Sequence, residues 1–167
     1  TIHRHVALHG PDQLRQRAAH ALRDLTNNTT GNSAIAMSGG VAPLVALLKN
    51  GSAEAQEYAL WLLWQSTDTA SRVSIAGSGC ANPIIHILLS GTLSAVAEEH
   101  AAAVLARMTS DQFAAIADGN KRDIVDAGGI HPLVKLLRSG SVKAKQHAAI
   151  TLAQLTRSAN GSRNDIQ

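Results

Sequence analysis

One phrase of the sequence recurs three times and constrains the possible fold more than any other feature. A glycine stands four positions before a proline and is followed by a second small residue, and an apolar run follows the proline and ends close to a glycine. The three prolines are Pro43, Pro83 and Pro132, which are separated by 40 and 49 positions. Self-similarity at such a period is typical of a helical solenoid, in which each unit stacks on its neighbours.

The copy between Gly39 and Gln65 gives the clearest local structure. Its apolar positions follow the i, i+3, i+4, i+7 spacing that places side chains on one face of a helix: Val41, Leu44, Val45 and Leu48. Pro43 lies in the first turn, where an amide donor would have no helical partner in any case. Gly51 and Ser52 then end this helix and cap the next one, which carries the sequence Ala-Leu-Trp.

The chain of 167 residues fits a single domain by its length. We expect a partial repeat at 1–30, repeats at 31–69, 70–118 and 119–159, and the start of a further repeat at 160–167. The second of the three repeats carries an insertion at 109–118 that contains Phe113 and Ile116. Because these two residues have helical spacing, we expect the insertion to form an extended helix end or an extra helical turn.

The composition favours a helical protein that is not an enzyme. The chain is 45% hydrophobic but only 2% aromatic, which suits close-packed helices. No nucleophile elbow, phosphate-binding loop or carboxylate pair is found, so we expect no catalysis, cofactor or metal site. The net charge is +3 without a dense basic run, and no apolar run approaches the roughly 18 residues of a membrane helix, so neither nucleic acid nor a membrane is an expected partner. The single Cys80 fits a reducing compartment, so an intracellular location is expected, with the cytoplasm favoured over the nucleus.

The repeated phrase Gly-Gly-x-x-Pro-Leu-Val-x-Leu-Leu, with the Ala-Leu-Trp helix that follows it, resembles the armadillo repeat family over nearly the whole chain. The resemblance implies an all-α fold, a right-handed superhelical solenoid of three-helix repeats. It also implies a protein-interaction module that holds an extended peptide in a concave groove lined by the third helices. The alternative is a structural scaffold, a segment of a longer array that contacts partners through its ends or its convex face. Open solenoid ends also make self-association possible.

Candidate binding residues follow from the geometry of the third helix. At about 100° per residue, Ala59, Leu62, Leu63 and Ser66 share a packing face, and Tyr58, Trp61 and Gln65 lie opposite. Equivalent positions in the other third helices extend these three outer residues into rows. The Tyr58 row is Arg17, Tyr58, His100 and His147; the Trp61 row is His20, Trp61, Ala103 and Ile150; the Gln65 row is Asp24, Gln65, Arg107 and Gln154.

The resemblance also implies a role for two of these residues. Family members place an Asn four residues after a Trp, where it hydrogen-bonds the peptide backbone beside the Trp ring. Trp61 and Gln65 preserve this pair with Gln in place of Asn. The alternative for Trp61 is packing beneath the neighbouring unit, and Trp64, which lies between the two faces, is expected to pack. Glu98 and Glu99 are interpreted as a solvated helix face, and Cys80 as a small buried residue.

Overall fold

The computed structural model describes residues 39–66, 69–110, 112 and 114–161. These residues form helices and turns without any strand, which confirms the predicted all-α fold. In chain order the helices are α1 (Val41–Asn50), α2 (Ala53–Gln65), α3 (Thr69–Ala76), α4 (Ala81–Ser90), α5 (Ala95–Met108), α6 (Ala114–Asp126), α7 (Ile130–Ser139) and α8 (Val142–Gly161).

The helices stack in rows, one for each position in the repeat. The second helices of the repeats, α1, α4 and α7, pack in chain order, each on the one before it. The third helices, α2, α5 and α8, pack in the same way. The first helices described, α3 and α6, contact each other and the third helix α5. The buried apolar side chains of all these helices join in a single continuous core, so the described chain is a solenoid with one core.

A left-handed glycine precedes each second helix. Gly39, Gly79 and Gly128 have φ values of 76°, 72° and 79°, which glycine adopts without the steric cost that a side chain would bring. The next position is occupied by Gly40, Cys80 and Gly129, each of which is the N-cap of its second helix. This shared turn explains why the repeated phrase begins with small residues.

Cys80 is fully buried at this turn, which confirms its interpretation as a small buried residue. Its sulfur lies 3.4 Å from the sulfur of Met108 and 3.8 Å from the carbonyl oxygen of Ile75. Burial raises the pKa of the Cys80 thiol to about 11, so at neutral pH the group remains a protonated, apolar-type side chain.

The insertion before the third repeat lengthens a first helix. α5 ends at Met108, and α6 has 13 residues where the equivalent helix α3 has 8. The added turns agree with the expected extra helical turn, and Ile116 is half-buried within them. The predicted division between repeats at 118 and 119 lies inside α6, which begins at Ala114. Several predictions lie outside the described residues: the partial repeat at 1–30, the site residues Arg17, His20 and Asp24, the packing of Phe113, and the further repeat beyond 161.

Substitution of Gly129 by alanine should destabilise the protein. A Cβ atom at this position would lie 2.6 Å from Cγ2 of Ile124, 2.7 Å from the Ile124 carbonyl oxygen and 2.9 Å from Cδ1 of Ile85. Because part of this contact is backbone, relief requires a shift of α6 against α7, and we expect a loss of about 1–3 kcal/mol in the free energy of unfolding. Urea unfolding followed by circular dichroism measures this loss.

Gly119→Ala is the matched control for that substitution. A Cβ atom at Gly119, which lies inside α6, meets no atom within 4 Å. Replacement of a helical glycine by alanine should therefore stabilise the protein by about 0.5–1 kcal/mol. Equal effects of the two substitutions would contradict the close packing assigned to Gly129.

Candidate functional site

The third helices begin in the same way in every unit that the structure describes. Ser52, Ser94 and Ser141 are their N-cap residues, and each side-chain oxygen accepts a hydrogen bond from a backbone amide three positions on, at 3.3, 3.2 and 3.1 Å. Such a cap satisfies one of the amides that a helix start leaves without a partner. The third helices α2, α5 and α8 therefore start at equivalent places.

Two of these starts, at Ser94 and Ser141, are each held by a glutamate of the preceding third helix. Oε1 of Glu57, on α2, accepts a hydrogen bond from the backbone amide of Ser94 at 2.7 Å. Oε2 of Glu99, at the equivalent position on α5, accepts from the Ser141 hydroxyl at 2.8 Å, and its other oxygen lies 3.6 Å from the Lys143 ammonium. The interpretation of Glu99 as part of a solvated face is therefore wrong. The sequence carries a signal for these contacts, since each glutamate precedes a capping serine by about one repeat. Glu57 stands 37 positions before Ser94, and Glu99 stands 42 positions before Ser141.

A surface pocket of about 370 Å³ lies between α2 and α5 and contains three of the predicted site residues. Tyr58, Trp61 and His100 line it, and all three are half-buried. The remaining lining residues are Glu57, Ser94, Val96 and Ala97. Val96 is 61% exposed, so it forms an open rim of the pocket.

Trp61 also packs against the core, as the packing alternative expects, and its contact with a peptide stays a prediction. Its ring contributes to the pocket and to the packing between units. The Tyr58 hydroxyl lies 3.3 Å from Oε1 of Glu54, one turn earlier on α2. Trp64 is the more open of the two tryptophans at 37% exposure, and its ring stacks on His100 with 4.7 Å between ring centroids.

Burial lowers the pKa of His100 below its ordinary value of 6.5. The carboxylates of Glu99 and Glu57 act in the opposite direction, and Lys143 and Arg107 add to the lowering. Burial likewise lowers the pKa of His147, the next residue in the Tyr58 row. Both imidazoles are therefore held neutral at pH 7, where they can stack on rings and accept or donate one hydrogen bond each.

Arg107 belongs to the contact between two units, and its role as a groove residue stays a prediction. Its guanidinium donates hydrogen bonds to the carbonyl oxygens of Ser66 at 3.2 Å, Leu63 at 3.3 Å and Trp64 at 2.8 Å. These carbonyls end α2, where the helix leaves acceptors without internal partners. Burial, with a smaller contribution from Arg72, lowers the pKa of Arg107 to about 10, so the side chain remains charged at neutral pH.

The other predicted residues have different surroundings in the structure. Gln154 contacts the Thr109 hydroxyl across α5 and α8, so its amide serves the contact between units. Gln65 and His147 are half-buried, and Ile150 is 40% exposed. Ala103, which the helix geometry placed in the outward Trp61 row, is only 3% exposed. The Trp61 row is therefore interrupted at α5. Binding by any of these residues stays a prediction.

Two segments of the chain, residues 33–65 and 117–157, match the family model of the armadillo/beta-catenin-like repeat. The chain contains armadillo-type repeats in these two segments. The first armadillo match contains α1 and α2, and the second contains α7 and most of α6 and α8. No curated protein matches the sequence.

Three solved structures with the same fold are crystal structures of engineered proteins from the Northeast Structural Genomics Consortium. One is 25% identical, with 94% of this chain and 62% of that chain covered and a TM-score of 0.69. A second is 29% identical, with 92% and 36% covered and a TM-score of 0.70. A third, 22% identical with 92% and 62% covered and a TM-score of 0.68, shows the fold alone. The armadillo chain thus spans less than two thirds of the length of each of these proteins.

No group of three or more His, Cys, Asp or Glu residues in the described part of the chain could hold a metal ion. No single helix among α1–α8 is long and apolar enough to cross a membrane; α3 and α4 would be so only as a pair, and they are bent by 73° relative to each other.

Replacement of Arg107 by methionine should destabilise the fold. Methionine keeps most of the apolar stem but leaves the three carbonyl oxygens at the end of α2 without their charged donor. Hydrogen bonds to a charged group contribute about 1.5–3 kcal/mol, and we expect a loss of that size in urea unfolding. Arg122→Met is the control, since exposed Arg122 bonds, among the residues described, only the Asp118 carbonyl of its own helix, and we expect a change within about 0.5 kcal/mol. Similar losses for both variants would contradict the role assigned to Arg107.

The stability of the protein should fall at acidic pH in part through His100. A lowered pKa in the folded state means that protons bind the unfolded chain more readily at this site. The stability contributed by neutral His100 is therefore present above pH about 6.5 and is lost as the pH falls below that value. Urea unfolding between pH 7.5 and 5.5 should show a smaller fall for His100→Gln than for the unsubstituted protein. Identical pH profiles would show that His100 has the same pKa in both states.

Proposed function

We propose that the chain binds an extended segment of a partner protein along its third helices, with the pocket between α2 and α5 as the central contact. Armadillo-type repeat proteins generally act as protein-interaction scaffolds, and the repeats of this chain belong to that type. The observation that carries the proposal is the pocket itself, in which Trp61, Tyr58 and His100 come together.

The chemistry of the pocket suits a peptide side chain with an apolar or aromatic body. Trp61 and Tyr58 offer large rigid faces, which bury area at low entropic cost. His100 is held in place by its stack on Trp64, so its ring edge is oriented before any ligand arrives. The pocket also has a polar wall in Glu57 and Ser94, which are already bonded to each other and so form a rigid surface.

The contacts between units engage two of the polar side chains that the sequence pattern placed along the binding surface. Arg107 and Gln154 are engaged by backbone and side-chain partners of neighbouring helices. Hydrogen bonds with a peptide backbone would therefore be made by other residues of the rows, Gln65 and His147. Binding energy in this arrangement is concentrated at the Trp61 pocket, as is usual for interfaces with one buried aromatic anchor.

A random linear peptide library displayed on phage tests this proposal directly. Peptides selected on the unsubstituted protein should bind Val96→Glu at least about tenfold more weakly, because the new carboxylate lies on the rim of the pocket. Val73→Glu is the matched control: it introduces the same charge on an exposed valine of α3, outside the third helices, and should leave the affinity unchanged. Equal loss in both variants, or no loss in either, would contradict binding at the pocket.

Trp61→Ala is a second variant with an additional expected effect on stability. We expect it to weaken the selected peptides by about 2 kcal/mol or more, as for an aromatic hot spot. Because Trp61 packs against the core, the thermal stability should fall as well, unlike that of a fully solvent-facing residue. Affinity is therefore measured well below the midpoint of unfolding, with circular dichroism as the check that the variant is folded.

A further inference from the structure

The charge of the third helices changes sign from one unit to the next. Helix α2 contains two acidic residues and no basic one, and α8 contains three basic residues and no acidic one. The helix between them, α5, carries two acidic residues and one basic residue. The partner segment of the proposed function follows these three helices in turn, so its two ends meet opposite charges.

The change of sign is clearest at the position two residues after each N-cap serine. This position holds Glu54 in α2, Val96 in α5 and Lys143 in α8, and all three residues are exposed. Because the three helices are capped in the same way, these side chains lie at equivalent places. They form a row that is acidic at α2, apolar at α5 and basic at α8, and we call it the charge row.

The acidic end of the charge row lies beside the Trp61 pocket. The hydroxyl of Tyr58, a pocket residue, lies 3.3 Å from Oε1 of Glu54. Glu57 lines the pocket itself, and its Oε1 accepts the hydrogen bond from the Ser94 amide. A carboxylate offers about four acceptor sites and keeps its charge when it accepts a hydrogen bond, so this end attracts a basic side chain.

The basic end of the charge row lies beside two residues of the Tyr58 row. Lys143 is among the charges that lower the pKa of both His100 and His147, so its ammonium is close to these rings. The Lys143 side chain is 71% exposed, and its ammonium lies 3.6 Å from Oε1 of Glu99, whose other oxygen accepts from Ser141. Exposed ion pairs of this kind contribute little, and an ammonium has three donors, so Lys143 can also bind a carboxylate of a partner.

The length of the charge row sets the spacing of the charges in the partner. Packed helices lie about 8–10 Å apart, so the two steps from α2 to α8 cover about 16–20 Å. An extended chain advances about 3.3 Å per residue and covers this distance in about five or six residues. The Trp61 pocket lies between α2 and α5, within the first step. The residue that occupies it therefore stands closer to the basic side chain of the partner than to the acidic one.

We propose that the partner segment is bipolar: a basic side chain lies beside Glu54 and Glu57, an apolar or aromatic side chain fills the Trp61 pocket, and an acidic side chain lies beside Lys143. This inference rests on the proposed function, because it describes the segment that the pocket binds. The charges fix the direction of the segment, since the reversed order brings like charges together at both ends. A uniformly basic or uniformly acidic segment gains at one end and loses at the other.

A phage-displayed library of extended peptides of about eleven residues tests the inference. An aromatic residue is fixed at the centre, and the flanking positions are randomised among Lys, Glu and Ser. Selection on the unsubstituted protein at low ionic strength, where charges are least screened, should enrich lysine on one flank and glutamate on the other. The lysine should stand nearer the aromatic residue. Enrichment of the same charge on both flanks, or of no charge, would overturn the inference.

Exchange of the two charges within one enriched peptide measures the preference for one order. The exchanged peptide should bind at least about fivefold more weakly by fluorescence anisotropy. In the variant Glu54→Lys, Lys143→Glu, which keeps the net charge of the protein, this preference should disappear or reverse. Asp126→Lys combined with Lys135→Glu is the matched control, because it exchanges exposed charges on α6 and α7 and should leave the preference unchanged.

A milder variant removes the two charges without placing a new carboxylate beside Glu99. Glu54→Gln combined with Lys143→Gln should reduce the preference for the original order at least about twofold. Circular dichroism of both variants checks that they are folded. An undiminished preference in the exchanged and in the neutral variant would overturn the inference.

A peptide with the same aromatic residue and serine flanks distinguishes a failure of this inference from a failure of the proposed function. Trp61→Ala should weaken this peptide and the enriched peptide alike, by at least about thirtyfold. If it does so and the order of the charges has no effect, the pocket binds the segment and only the bipolar inference is overturned. If Trp61→Ala weakens neither peptide, binding does not use the pocket, and the proposed function is overturned as well.

Discussion

Burial of apolar surface between neighbouring units is the interaction on which the rest of the structure depends. Each unit is a thin layer of helices, and the side chains on its two sides become buried only when another layer stacks on them. Val45 and Ile85 are buried because a second helix lies over them, and the equivalent Val134, over which no second helix lies among the described residues, is partly exposed. The stability of the fold and the spacing of the third helices both follow from this single requirement.

Polar contacts between units set the positions of the helices that apolar burial brings together. Glu57 and Glu99 hold the capped starts of the following third helices, and Arg107 holds the end of α2. Apolar contact is weakly directional, whereas these charged hydrogen bonds require defined distances and angles. The pocket around Trp61 and His100 lies between the contact at the start of α5 and the contact at Arg107. Its shape therefore depends on Glu57 and Ser94, which line it, and on Arg107, which does not.

The same constraint creates the proposed binding pocket. The pocket between α2 and α5 forms where two stacked units leave a gap between their third helices, so it needs both units in place. An extended peptide fits such a surface because it can follow successive helices.

The sequence by itself determined the helices, their order and the face that each buries. The repeated phrase predicted the second helices, helical spacing predicted the burial of Ala59, Leu62 and Leu63, and both are confirmed. The tertiary structure alone decided that Arg107 and Gln154 serve the contacts between units and that Ala103 is buried. The physical reason is that a period of 3.6 residues fixes directions around one helix axis. The rotation and offset of one helix against its neighbour depend on side chains about 40 positions away, and these decide which outward residues remain exposed.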